Sequence, residues 1–218
     1  MIRIAAVHTV PSVYATFPDL IRRHIPGAEV LNTVDEFLAT DPAEKGEFTT
    51  TNLNRLHALL RCAEATNPDV IVVSCSTLTP PVETLRPLIH TPLVTIDGAM
   101  LKAAVRAGSA VTLVATSPSA ADAAKKGLSR EAEKAGKALD LEIILCDKAF
   151  QAIRRMDKAA HDEEVLSAVA GVAARDVIVL AQASMAHLEE QVGKTTGIAT
   201  LSSPELCMEE VKKALGIA

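Results

Sequence analysis

The chain has no tryptophan, one tyrosine and four phenylalanines in 218 residues, while hydrophobic residues make up 49% of it. A core with so few rings must be aliphatic and rich in alanine, which suits buried parallel strands of Val, Ile and Leu under Ala-rich helices. A basic surplus is also missing. The formal net charge of −5 gives no electrostatic footprint for nucleic acid or for an acidic membrane surface. No apolar run approaches the roughly 18 residues of a membrane span. The first residues enter a short strand-like run and lack the basic stretch, apolar segment and cleavage site of a signal peptide. The expectation is a cytoplasmic protein with reduced thiols. Cys62, Cys75, Cys146 and Cys207 show no C-x-x-C spacing, which argues against a structural zinc site. No G-x-G-x-x-G follows a strand-like run, and Leu188 stands where a phosphate loop ending in Gly193-Lys194-Thr195 needs its first glycine.

What the chain does have is a second copy of itself. Ile2-Arg3-Ile4-Ala5-Ala6-Val7-His8-Thr9-Val10-Pro11-Ser12 meets Ser109-Ala110-Val111-Thr112-Leu113-Val114-Ala115-Thr116-Ser117-Pro118-Ser119 at an offset of 107. The same offset carries Asp69-Val70-Ile71-Val72-Val73-Ser74-Cys75 onto Asp176-Val177-Ile178-Val179-Leu180-Ala181-Gln182. Two separate segments agreeing on one offset imply two α/β units related by an approximate two-fold axis.

Short β-type runs alternate with longer helix-type runs. Strands are expected over 2–8, 28–32, 69–74, 92–96, 110–115, 141–146, 176–181 and 197–201. Helices are expected over about 12–24, 50–66, 80–89, 98–107, 118–138, 157–174, 184–193 and 204–215. This alternation predicts an α/β fold of two four-stranded parallel sheets with right-handed crossovers. The first domain is expected over 1–96, completed by a C-terminal helix in 203–218, and the second over 97–202. Thr50 or Thr51 is the expected cap of the second helix and Asp97 of the fourth. Segment 41–49 reads as a loop, either a flap or a plain surface loop.

Ligands of open parallel sheets bind beyond the carboxyl ends of strands where the strand order reverses. With an order 2-1-3-4, those ends carry His8-Thr9 and Cys75-Ser76-Thr77 in the first half, and Thr116-Ser117 and Gln182-Ala183-Ser184 in the second. Cys75 stands between a strand and a helix start, where backbone amides favour anions and a thiol ionises more readily. It is the leading catalytic candidate, with Gln182 opposite it in the repeat. Its competing reading is an ordinary buried cysteine. His8, Thr9, Ser76, Thr77, Thr116 and Ser184 are candidate substrate-binding residues. His8 would orient substrate or shuttle a proton, or else be a strand-end histidine bonded to backbone. Cys62 reads as core, Cys146 as a marginal candidate, His161 as part of a solvated helix start and His187 as surface or support.

Val72-Val73-Ser74-Cys75-Ser76-Thr77, Ile96-Asp97-Gly98-Ala99-Met100, Leu113-Val114-Ala115-Thr116 and Val177-Ile178-Val179-Leu180 together resemble the aspartate/glutamate/hydantoin racemase superfamily. The resemblance implies two flavodoxin-like domains, no cofactor, and proton transfer at carbon next to a carboxylate or carbonyl of a small or amino-acid-like acid. It also suggests a homodimer. In racemases of that superfamily one cysteine from each half faces the substrate. Cys75 matches the first, Gln182 stands at the second, and Ser184 stands where some members place a histidine. An amide cannot exchange a proton near neutral pH. The expectation is therefore a one-cysteine isomerase, racemase or decarboxylase, in which Gln182 hydrogen-bonds substrate. The alternative is a non-catalytic small-carboxylate binding or sensing protein.

Overall fold

A computed structural model describes residues 1–217. The chain divides into two compact units, one of Met1–Ile96 with the residues from Cys207 onward, the other of Asp97–Leu206.

The first unit contains β1 (Arg3–His8), α1 (Pro11–His24), β2 (Glu29–Val34), α2 (Phe37–Lys45), α3 (Thr50–Glu64), β3 (Val70–Val73), α4 (Thr79–Leu85) and β4 (Leu93–Thr95). The second contains α5 (Gly98–Ala107), β5 (Ala110–Ala115), α6 (Pro118–Lys134), β6 (Asp140–Leu145), α7 (Asp147–Arg154), α8 (Lys158–Val169), β7 (Val177–Leu180), α9 (Glu189–Thr196) and β8 (Thr200–Leu201). The last helix, α10 (Ser203–Ala214), carries the chain back into the first unit at Cys207. Each unit is a four-stranded parallel sheet, in the orders β2-β1-β3-β4 and β6-β5-β7-β8. This is the expected pair of flavodoxin-like α/β units.

The repeat is kept at the level of register. Ile4 pairs with Val70 and Val111 with Val177, while Ile71 pairs with Leu93 and Ile178 with Thr200, so β1, β3 and β4 all recur at the offset of 107. Only β2 departs from it: Glu29 pairs with Arg3 but Asp140 with Ala110, an offset of 111. The extra residues lie in the longer crossover around α6. The start of the central pair is also tied the same way twice. Asp69 accepts from the Arg3 N–H at 2.7 Å, and Asp176 accepts from those of Ser109 and Ala110 at 2.8 and 2.9 Å.

The period-2 rule of strands splits each central sheet between two cores. In the first unit Ile4, Ala6, Val70 and Val72 meet Phe17 and Ile21 of α1 with Cys207, Met208 and Val211 of α10. Ala5, Val7, Ile71 and Val73 meet Leu56 and Leu60 of α3 with Leu78 and Val82. In the second unit Val111, Leu113, Val177 and Val179 meet α6 with Met100, Leu101 and Ala104 of α5. Met100, Leu101 and Ala104 map by 107 onto Cys207, Met208 and Val211. The helix after the fourth strand of each copy therefore covers the sheet of the other copy.

Several local expectations need correction. Segment 41–49 is not all loop, because α2 runs through Pro42 to Lys45 and ends at Gly46, whose φ is +73°. Asp41 is buried, takes a bond from Asn52 Nδ2 at 3.0 Å and pairs with Lys45, while Leu38 is sealed in the core. These tertiary contacts outweigh the poor helix propensity of the Asp-Pro sequence. Helix α7 was not expected at all. The cap of α3 is Thr49, one residue before the expected threonines: its hydroxyl accepts the Asn52 N–H at 3.3 Å and Asn52 Oδ1 accepts the Thr49 N–H at 2.8 Å. Asp97 holds the cap position of α5 without a side-chain cap bond. The helix expected over 80–89 is α4 between 3₁₀ turns at Ser76–Leu78 and Arg86–Leu88, and that over 184–193 starts as a 3₁₀ segment, Ala183–Leu188. Among the described residues no helix is long and apolar enough to cross a membrane.

Candidate active site

In each unit the strand order reverses between the two central strands, and the candidate residues sit at their carboxyl ends. In the first unit β1 ends in His8 and is followed by Thr9, while β3 ends at Val73 and is followed by Ser74 and Cys75. Strands β1 and β3 are hydrogen-bonded neighbours through Val7 and Ser74. Cys75 has extended backbone and precedes the 3₁₀ turn of Ser76–Leu78. It is half-buried, with Sγ 3.0 Å from Thr77 Oγ1. That hydroxyl can donate to a thiolate or accept from a thiol, so it serves either protonation state. Ser76 and Thr77 are half-buried as well.

His8 is fully buried, and the partners of its ring are side chains and not backbone. Nε2 lies 3.1 Å from Asn32 Oδ1, an obligate acceptor, so Nε2 carries the proton. The Ser74 hydroxyl then donates to Nδ1 at 2.7 Å. Tyr14 and Phe17 flank the ring edge-on, with centroids at 6.0 and 5.8 Å. Burial pushes the His8 pKa down from its ordinary value, opposed by the Asn32 bond, and favours the neutral ring. Asn32 and Ser74 were missed as its partners. Their signal was there, since each is a polar residue inside an apolar strand run. At an offset of 107, His8 and Ser74 become Ala115 and Ala181, both buried. The second unit has dropped both halves of the bond together.

In the second unit β5 leads into Thr116 and β7 into Gln182. Gln182 Oε1 accepts from the Thr116 backbone N–H at 2.7 Å and lies 3.1 Å from Thr116 Oγ1, while Nε2 donates to that hydroxyl at 2.9 Å. Thr116 is buried and Gln182 half-buried. Ser184 is exposed. The structure thus brings together Cys75 with Thr77, and Thr116 with Gln182, each pair within one unit.

The remaining cysteines separate clearly. Cys62 is exposed on α3 and not core, because it lies on the outer face of a helix whose inner face is Leu56, Leu60 and Ala63. Cys146 is buried, and its thiol is pushed up to about 11 by desolvation and then by the charges of Glu164 and Asp147, so it stays protonated near neutral pH. Cys207 is core. His161 is not solvated but fully buried, with Nδ1 2.8 Å from Asp162. Asp162 also receives Lys158 and the His187 Nε2, at 2.8 and 2.9 Å. Burial alone would raise Asp162, but the bonds from Lys158, His161 and His187 outweigh it and hold the carboxyl at about 2. Among the described residues no group of three or more His, Cys, Asp or Glu is arranged to hold a metal ion.

Solved structures with the same fold were found. The chain matches allantoin racemase from Klebsiella pneumoniae at 19% identity and a TM-score of 0.66, covering 100% of this chain and 90% of that one. It matches aspartate racemase from Picrophilus torridus at 13% identity and a TM-score of 0.68, covering 99% and 95%. It also matches a Gly74Cys mutant of arylmalonate decarboxylase in a sulfate-associated form, at 15% identity and a TM-score of 0.65, covering 98% and 93%. No curated protein sequence matches the chain. The family model described as Asp/Glu/Hydantoin racemase spans residues 6–211, from the first strand to the last helix, and the chain belongs to that family.

Proposed function

We propose that this protein is a cofactor-independent enzyme that acts at a carbon next to the carboxylate or carbonyl of a small acid, with Cys75 as its single proton-transferring group. The observation that carries this reading is the state of the two equivalent strand ends. Cys75 is half-buried with one hydroxyl on its sulfur, whereas its counterpart Gln182 cannot ionise. In the exchange form of the reaction, the Cys75 thiolate takes the proton on the α-carbon. The electron pair of the C–H bond moves onto the carboxylate or carbonyl as an enolate, and the thiol returns a proton to the same carbon. In the decarboxylation form the C–C bond to the leaving carboxylate breaks, its electron pair stays with the remaining acid as an enolate while carbon dioxide departs, and the Cys75 thiol protonates the α-carbon and regains its proton from solvent. Thr9, Ser76 and Thr77 are the hydroxyls proposed to hold the developing oxyanion.

With one ionisable group, chemistry at one face of the carbon follows. The family's racemase name does not by itself require racemisation here, and a decarboxylase shares the fold. The test is a panel of small carboxylic acids, amino acids, hydantoins and disubstituted malonates in deuterium oxide. Deuterium uptake with retention, or decarboxylation to one enantiomer, is the expected result. Cys75→Ala should lower the rate by about 10²–10⁴. Rapid inversion in both directions by the native protein would refute the one-face reading. Binding without exchange or decarboxylation would favour a carboxylate-sensing protein instead.

A further inference from the structure

The 107-residue offset places Thr9 where Thr116 stands and Cys75 where Gln182 stands. In the second unit the Thr116 backbone N–H and hydroxyl form a donor pair, and one oxygen, Gln182 Oε1, occupies it at 2.7 and 3.1 Å. That oxygen belongs to a planar carboxamide, close in shape to a carboxylate. In the first unit Cys75 ends two heavy atoms earlier, and its sulfur faces Thr77. Thr9 is buried, at 3% exposure, and its hydroxyl is buried without a hydrogen-bond partner among the described residues. A buried hydroxyl without a partner is costly unless something else supplies one.

We propose that Gln182 closes the Thr116 donor pair to carboxylates: its side-chain carbonyl fills the oxygen-acceptor position there from within the chain, whereas the equivalent position at Thr9 has no internal acceptor and takes a carboxylate from solution. The proposal rests on the reading of this protein as acting on small carboxylates. A carboxylate directed at Thr116 would have to displace an amide that already makes its bonds without losing rotational freedom on binding.

The test reads the backbone amides of Thr9 and Thr116 by two-dimensional proton–nitrogen NMR of the full-length protein, titrated with malonate and with acetate. In the native protein the Thr9 amide shifts and the Thr116 amide stays still. In Gln182→Ala, the vacated donors bind the added carboxylate, so the Thr116 amide also titrates, at least about tenfold tighter than in the native protein. Gln182→Glu restores an internal carboxylate, and Thr116 falls silent again. Gln182→Ser replaces the alanine variant if that variant does not fold. Three results would each overturn the proposal: a Thr116 amide that titrates equally in the native protein, one that stays silent in both short variants, or a silent Thr9 amide in the native protein. The thiol takes no part in these titrations. A Cys75→Ala protein that keeps them but has an unchanged turnover rate would count against the catalytic role of Cys75 alone.

Discussion

Removing one oxygen atom from the His8 network tests whether that ring is sealed from water. Ser74→Ala deletes the hydroxyl 2.7 Å from His8 Nδ1 without opening a sizeable cavity, and the ring itself has 0% exposure. With water kept out, Nδ1 is left as a buried acceptor without a donor, which costs about 1–3 kcal/mol. For a chain of this size each kcal/mol moves the melting temperature by roughly 2–4 °C, so a fall of about 2–12 °C is expected. The companion variant His8→Ala removes a ring packed between Tyr14 and Phe17, and large-to-small changes of that kind cost about 3–5 kcal/mol. On the His8→Ala background, however, the serine has only its longer bond to the Val7 carbonyl, at 3.3 Å, left to lose. The increment for Ser74→Ala should then shrink to a few tenths of a kcal/mol, as the buried Ala115 and Ala181 at the same places of the second unit imply. The assay is urea unfolding at pH 8 followed by far-ultraviolet circular dichroism, with the four proteins compared at constant m-value. A Ser74→Ala cost below about 0.3 kcal/mol, or an increment that stays the same on the His8→Ala background, would refute the sealed-network account.

The pH profile of stability should carry two signatures. Burial depresses His8 in the folded state, so its contribution is intact above the ordinary histidine value of 6.5 and is lost as pH falls through that value towards the lower folded one; His8→Ala should flatten this limb of a melting-temperature titration. Asp162 is held at about 2 against an ordinary 3.8, so its stabilisation is present above pH 4 and disappears between about 4 and 2, a step that Asp162→Asn should remove. Gly108→Ala places a methyl group 2.3 Å from Asp176 Cβ and 2.1 Å from its Oδ2, the oxygen that accepts the Ser109 and Ala110 N–H groups; a loss of about 1–3 kcal/mol in thermal or urea unfolding is expected, and an unchanged midpoint would contradict it. On a Cys62→Ser background, which removes the exposed thiol, iodoacetamide should label Cys75 within minutes near pH 7.5 and leave Cys146 and Cys207 unmodified until the protein is unfolded; mass spectrometry of the peptides decides it.

Much of this fold was legible because its signals are local and repeated. The alternation of apolar runs with amphipathic stretches, and a single offset shared by two distant segments, implied two parallel sheets of four strands with one order. The registers Ile4–Val70 and Val111–Val177 follow from that repeat. The strand-end position of Cys75, and the inability of Gln182 to ionise, were equally readable from residue type and place. Helix α2 was hidden because Asp-Pro and Gly signal a turn locally, and only the burial of Leu38 and Asp41 makes the helix favourable. The burial of His161 and the side-chain partners of His8 were hidden for a related reason: Asp162, Asn32 and Ser74 meet the rings through hydrogen bonds that a linear pattern does not display. Gln182 shows the division most clearly. Sequence determined that it stands opposite Cys75 in the repeat, but only tertiary contact decided that its amide is spent on Thr116, because a side chain's partner depends on which neighbouring donor lies within about 3 Å across the sheet.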